Sequence, residues 1–175
     1  YFLSVSKPVS PIYEPCVIQQ KLARQGRFPL LRFERVNGSS LPLVTDLFGS
    51  YQLLGLALGV DPGEPKSAIL EAYRDKIKHP VPIREVPKGE APVKEIVVKS
   101  GEVDLGSLPL VHHAEKDSGK YITVGCLIAR DSESGVTNVG VYRHEVQGKD
   151  ALGCMFNPAH HGAYIYRKYR EQKRP

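Results

Sequence analysis

The 175-residue chain has no tryptophan, a single methionine and only three cysteines. Cys16, Cys126 and Cys154 form no CxxC pair and cannot all pair with one another, which argues for reduced thiols and a cytoplasmic setting and against a disulfide scaffold. As free thiols they are expected to be buried as small hydrophobes. No stretch approaches the ~18 apolar residues of a membrane span, and the longest apolar run, Leu53 to Val60, is broken by Gly55 and Gly59. The start, Tyr1-Phe2-Leu3, shows no basic segment, long apolar segment or small-residue cleavage site, so it does not read as a signal peptide. The common site signatures are missing too. There is no GxGxxG, GxxxxGK[ST], HExxH or GxSxG, so no simple motif argues for a dinucleotide fold, a P-loop, a zincin or a serine hydrolase.

With 41% hydrophobic and 25% charged residues, 16 Gly and 14 Pro, the composition is that of a folded chain with room for one ordinary domain, or one domain and part of another. The formal charge of +5 is concentrated at one end: residues 163–175 carry +4, and the remainder of the chain only +1. A general nucleic-acid surface is thereby excluded. A local alternative stays open, in which Arg167, Lys168 and Arg170, interleaved with Tyr164, Tyr166 and Tyr169, form a non-catalytic module contacting RNA or a protein partner. The plainer reading is an amphipathic helix with a solvated charged face.

Pro15 at a first helical position and Gly26 as a stop predict a helix to about Gln25, with Ile18 and Leu22 on its buried face. Phe28 to Val36 and Leu41 to Thr45, around Asn37-Gly38-Ser39-Ser40, predict a β-hairpin. Helices are expected over Leu47 to Leu58, ending at Gly59, and over Ser67 to Lys78. Four prolines between His79 and Pro92 mark an extended connector. Beyond it, Val93 to Lys99, Tyr121 to Arg130, Val136 to Val146 and Ala151 to Phe156 predict successive strands, more in keeping with a barrel or sandwich than with a doubly wound sheet.

The polar residues suited to chemistry concentrate between Thr137 and Gly162. Alternation along a strand places Asn138, Gly140 and Tyr142 on one face and Val139, Val141 and Arg143 on the other. An amide oxygen at Asn138 is a ligand for a hard cation, and Gly140 allows close approach of a planar ligand or a second backbone. The plain alternative is that Asn138 opens a strand and Arg143 is a surface charge. Phe156-Asn-Pro-Ala-His160-His-Gly162 then puts two histidines at a helix N-terminus, where free N–H groups attract phosphate or a phosphate-bound cation, or where the histidines simply cap and pack. His112 and His113 read as loop residues, and Asp117 to Tyr121 as a turn that also shapes a site rim. One cofactor site would require Asn138, Arg143 and His160 to converge.

In order, Gly101-Glu-Val-Asp-Leu105, Leu108-Pro109, Asp117-Ser-Gly-Lys-Tyr-Ile-Thr123, Ala129-Arg-Asp131, Thr137-Asn-Val-Gly-Val-Tyr-Arg143 and His160-His-Gly162 resemble the UbiD family of prenylated-flavin-dependent decarboxylases. Upstream, Arg32-Phe-Glu-Arg-Val-Asn-Gly-Ser39, Leu47-Phe-Gly-Ser50 and Leu56-Ala-Leu-Gly59 are similar to the family's N-terminal region. The resemblance implies an α+β chain: an N-terminal α/β domain over 1–101, then over 102–175 the first strands of a split β-barrel flavin-binding domain. It implies reversible, non-oxidative decarboxylation of an aromatic or α,β-unsaturated carboxylic acid with prenylated FMN, Mn2+ or Mg2+, and K+.

By the same resemblance, Asn138 and His160 bind the metal on the flavin phosphate. Val141, Tyr142, Arg143, Phe156, Asn157, Pro158, His161 and Gly162 line the cofactor, and Arg143 also holds the substrate carboxylate. His161 stands where relatives often have Arg, and Phe156-Asn157-Pro158 departs from the Arg-Trp-Leu of some members. A metal-binding Glu, the acid that protonates product and an oligomerising C-terminal domain lie beyond the matched region, so this stretch alone is expected to be inactive. The implied partners are a flavin prenyltransferase, which supplies the cofactor, and further copies of the chain; neither a membrane span nor nucleic acid is implied.

Overall fold

The computed structural model describes residues 1–174; Pro175, the last residue of the expected second domain, lies outside the described residues. The chain is mixed α+β and divides into two compact units, one of Tyr1–Val103 with Ser107–Pro109, the other of Asp104–Gly106 with the chain from Leu110 onward. Among the described residues no helix is long and apolar enough to cross a membrane.

The first unit is built on strands β1 (Phe2–Val5), β2 (Leu30–Phe33) and β3 (Leu43–Thr45), in that order across one sheet. β1 runs parallel to β2, which requires a crossover, and helix α1 (Glu14–Arg24) supplies it. Pro15 sits in the first turn of α1 as expected, and the Glu14 carboxylate accepts the Ser10 N–H at 2.5 Å. Leu31 and Phe33 alternate inward on β2 and are 1% and 0% exposed. With Val9 and Val36 they form the core, against which Leu3, Val5, Ile18, Leu22 and Leu43 pack.

The hairpin of β2 and β3 forms in antiparallel register. The helix expected from Leu47 begins later, as α2 (Tyr51–Leu58), because Asp46 in a left-handed conformation makes a turn first and the Ser50 side chain caps Leu53 N–H at 3.3 Å. Gly59 ends α2 with φ of 79°, and α3 (Lys66–Lys78) follows. The strand expected over Val93 to Lys99 does not form. Pro92 opens a short 3₁₀ turn over Pro92–Lys94, and Val93 and Ile96 are each 81% exposed, with no neighbouring strand to complete a ladder.

In the second unit β4 (Tyr121–Arg130), β5 (Thr137–Val146) and β6 (Leu152–Cys154) make an antiparallel meander, with a bulge in β4 between Ile122 and Gly125. Helix α4 (His161–Glu171) packs one face of that sheet with Gly162, Ala163 and Ile165 buried. A polar clamp fixes it. Lys168 Nζ lies 2.9 Å from Asp131 and 2.7 Å from Glu133 in the turn after β4, and Tyr169 donates to the Arg130 carbonyl at 3.1 Å. No disulfide joins the cysteines; Cys16 and Cys154 are half-buried, whereas Cys126 is exposed, contrary to the burial expected of it, because it lies on the sheet face that α4 does not cover.

Candidate site on the second sheet

Residues 137–143 alternate as the sequence pattern requires. Asn138 and Gly140 are half-buried and Tyr142 buried, while Val139, Val141 and Arg143 are exposed. The pairings Ala129 with Asn138, Leu127 with Gly140 and Gly125 with Tyr142 put these residues on the face toward α4. The Tyr142 ring meets Phe156 edge-on at 5.4 Å and His160 at 5.7 Å, and Phe156 stacks on Tyr166 at 5.8 Å. Beside this aromatic cluster a groove of about 280 Å³ runs between β4 and α4, lined by Leu127, Ala129, Arg130, Phe156, Ile165 and Tyr166 among others. The space above Gly140 is not open to a ligand: the Tyr142 ring fills it, and a Cβ there would stand 2.6 Å from the ring edge.

The loop before α4 is shaped locally. The Asn157 side chain accepts the Ala159 N–H at 3.0 Å and its carbonyl accepts the His160 N–H at 2.9 Å, a turn that delivers His160 to the helix N-cap in extended conformation. No side chain caps α4. Its first turn therefore presents uncapped N–H groups and the positive end of the helix dipole beside exposed His160 and His161. Asn157 and Pro158 are exposed and serve this turn.

The opposite face holds a second polar cluster. Arg143 Nη2 lies 3.2 Å from the Asp117 carboxylate, and its guanidinium stands 4.2 Å over the Tyr121 ring. Ser118 and Tyr121 share a 2.7 Å hydroxyl contact, and His112 Nε2 donates to the Asp117 carbonyl at 3.0 Å. His113 Nδ1 is buried without a hydrogen-bond partner. Burial holds the His113 imidazole below its usual range, Asp117 working against this and Arg143 and His112 adding to it.

The structure thus gathers Tyr142, Phe156, His160 and Gly162 into one cluster, with Asn138 on the same strand face and His161 at the start of the helix beside it. It does not bring Arg143 to that cluster. Arg143 and Val141 look out from the other face of β5, so the convergence of Asn138, Arg143 and His160 on one point is absent. Asp117 and His113, read from sequence as turn and loop, carry the electrostatics around Arg143. Their signal was the Asp117-Ser-Gly-Lys-Tyr121 turn, but no local pattern reveals a partner 26 residues away.

Lys168 and Arg170 of α4, and Arg174 just beyond its end, lie over the rings of Tyr164, Tyr166 and Tyr169 at 4.5, 5.9 and 5.2 Å. Each of the three interleaved rings thus already carries a cation from its own stretch of chain. Among the described residues no group of three or more His, Cys, Asp or Glu gathers to hold a metal, so Asn138 and His160 are at most part of a ligand set.

Two family descriptions match this chain: the 3-octaprenyl-4-hydroxybenzoate carboxy-lyase N-terminal domain over residues 2–73, and the Rift-related domain of the same carboxy-lyase over residues 84–175. The chain belongs to the UbiD family. Among similar proteins, the anhydromevalonate phosphate decarboxylase of Methanosarcina mazei is 32% identical over 97% of this chain and 36% of its own length. An evolved dimeric form of the UbiD-class enzyme HmfF from Pelotomaculum thermopropionicum, solved with prFMN, superposes with a TM-score of 0.86 at 37% identity, over 99% of this chain and 39% of that one. The closed form of Sedimentibacter hydroxybenzoicus vanillic acid decarboxylase gives 0.91 at 30% identity, over 99% and 38%. This UbiD-family chain therefore spans less than two fifths of the length of these relatives.

Proposed function

We propose that this chain is the N-terminal part, with domains over 1–101 and 102–175, of a cytoplasmic decarboxylase that uses prenylated FMN. The reaction is reversible, non-oxidative loss of CO₂ from an aromatic or α,β-unsaturated carboxylic acid. The observation that carries this reading is the uncapped N-terminus of α4 beside His160, packed on Tyr142 and on the strand face that bears Asn138. A dianionic phosphate suits such a helix end, and an amide oxygen with an imidazole is a suitable part-set for a divalent cation such as Mn2+ or Mg2+ bound to it. K+ is the further ion of the proposed holoenzyme.

Asn138 and His160 would hold the metal. Tyr142, Phe156, Asn157, Pro158, His161 and Gly162 would flank the phosphate end of the flavin; Val141 and Arg143, on the other face of β5, do not meet the convergence a single cofactor site requires, and only the carboxylate role is proposed for Arg143. When bound, the prenylated flavin supplies the electron sink that side chains lack. Arg143 has a single N–H committed to Asp117, so its fork retains donors for a substrate carboxylate, which it would bind and orient.

The test is to produce the polypeptide carrying this sequence together with a flavin prenyltransferase and record its flavin absorbance and bound metal. Wild type is expected to retain flavin, and Asn138→Ala and His160→Ala to lose it together with manganese. Unchanged loading in both variants would sink the assignment. Homo-oligomerisation is the further expectation, checked by light scattering of the same preparation.

A further inference from the structure

We propose that Asp117 is a positioning residue, which fixes the guanidinium of Arg143 over Tyr121 so that its free edge is presented to a carboxylate; the inference rests on the carboxylate-binding reading of Arg143. Arginine loses several rotatable bonds of freedom when it binds an anion, so a preset fork binds more tightly than a mobile one. Here the presetting is visible. Arg143 is over half exposed, at 54%, yet two contacts define its place: Asp117 at 3.2 Å from Nη2 and the Tyr121 ring at 4.2 Å.

Asp117 is itself held. Its side chain is only 18% exposed, its carbonyl takes the His112 ring N–H, and the neighbouring Ser118 hydroxyl meets Tyr121. Val111 bridges to Tyr121 across the base of the same loop. The 111–121 loop therefore ties the carboxylate and the aromatic platform to one another, and the guanidinium rests on both.

Geometry also sets the division of labour. The contact to Asp117 runs through Nη2 alone, not through the two-pronged fork that a carboxylate prefers, so a second carboxylate has N–H groups to take. A bidentate Asp117 would have occupied one edge of the fork; a one-point contact leaves donors on it.

The experiment follows the Arg143 Nε–Hε signal by nitrogen-15 NMR in the chain as it stands, with benzoate as probe. In wild type the signal is expected to be narrow and to shift on benzoate addition. Asp117→Ala should broaden it and weaken benzoate binding by up to about tenfold, the cost of immobilising one rotamer-rich side chain on binding. Asp117→Asn, whose amide oxygen still accepts from Nη2, should stay close to wild type, which a purely charge-based role would not allow. Should Asp117→Ala fail to fold, Asp117→Ser, too short to reach Nη2, reads the same effect. An alanine variant with wild-type signal and wild-type benzoate response overturns the positioning role while leaving the carboxylate reading intact. A wild-type signal indifferent to benzoate overturns the carboxylate reading, and with it the proposal, even where Asp117→Ala still broadens the resonance.

Discussion

The Tyr142 hydroxyl occupies the place that a side chain on Gly162 would need: a Cβ there would lie 2.5 Å from the oxygen and 3.1 Å from both the ring carbon that bears it and Phe156. The first turn of α4 thus meets β5 only because residue 162 has no side chain. Gly162→Ala is expected to destabilise the chain by about 1–3 kcal/mol through overpacking, read as a lower urea midpoint. Adding Tyr142→Phe should recover part of the loss, since the oxygen is the closest of the clashing atoms.

Replacing Lys168 by Met removes the ion pairs that join α4 to the turn after β4. The Glu133 and Asp131 carboxylates hold the Lys168 ammonium well above the ordinary lysine range. Asp131 lies below the usual carboxylate value, through the Glu133 N–H first and Lys168 next. A carboxyl with a depressed folded-state pKa stabilises above its unfolded value of about 3.8 and loses that contribution as pH falls through the folded one. Thermal unfolding of Lys168→Met should show a lower midpoint at pH 7 and a smaller further drop on acidification than wild type.

His113 sets a different pH dependence. Its depressed pKa means that the unfolded chain takes up the proton more readily, so stability falls as pH drops through about 6.5 and stops falling once the folded-state value is passed. Denaturant unfolding at pH 7.5 and 5.5 should show this decline, and His113→Gln should flatten it. An identical slope in the variant would place the decline on other groups.

Phe33, with no exposed surface, is the largest fully buried side chain of the first unit. Phe33→Ala should cost about 3–5 kcal/mol, since Leu31, Val9 and Val36 cannot all collapse into the space left. Far-ultraviolet circular dichroism against urea would measure it.

Where neighbours in sequence decide the structure, reading the sequence succeeded. Pro15, Gly59 and Asn37-Gly38 are local signals, and α1, the end of α2 and the β2–β3 hairpin follow them. Alternation likewise ordered the faces of β5. Failures came where the partner is distant. β1 is four residues long and is defined by its parallel match to Leu30–Phe33, which no local pattern announces. Val93 to Lys99 has the composition of a strand, but strand composition without a neighbouring strand leaves 3₁₀ turns and open chain. The Asp117–Arg143 pair escaped for the same reason. Of the candidate site, the cluster around Tyr142 and His160 was legible because strand period and helix start each fix one side of it.

The uncovered face of β4 and β5 also has a practical side. Val124, Ile128, Val139 and Val141 are 62–73% exposed there, with Cys126 among them. Such a surface gains more from sulfate than from chloride, because excluded salts strengthen the tendency of apolar groups to leave water. Handling of the isolated chain is therefore governed by this patch more than by its +5 charge: ammonium sulfate will precipitate it early, and a hydrophobic dye will fluoresce on it while it is still folded.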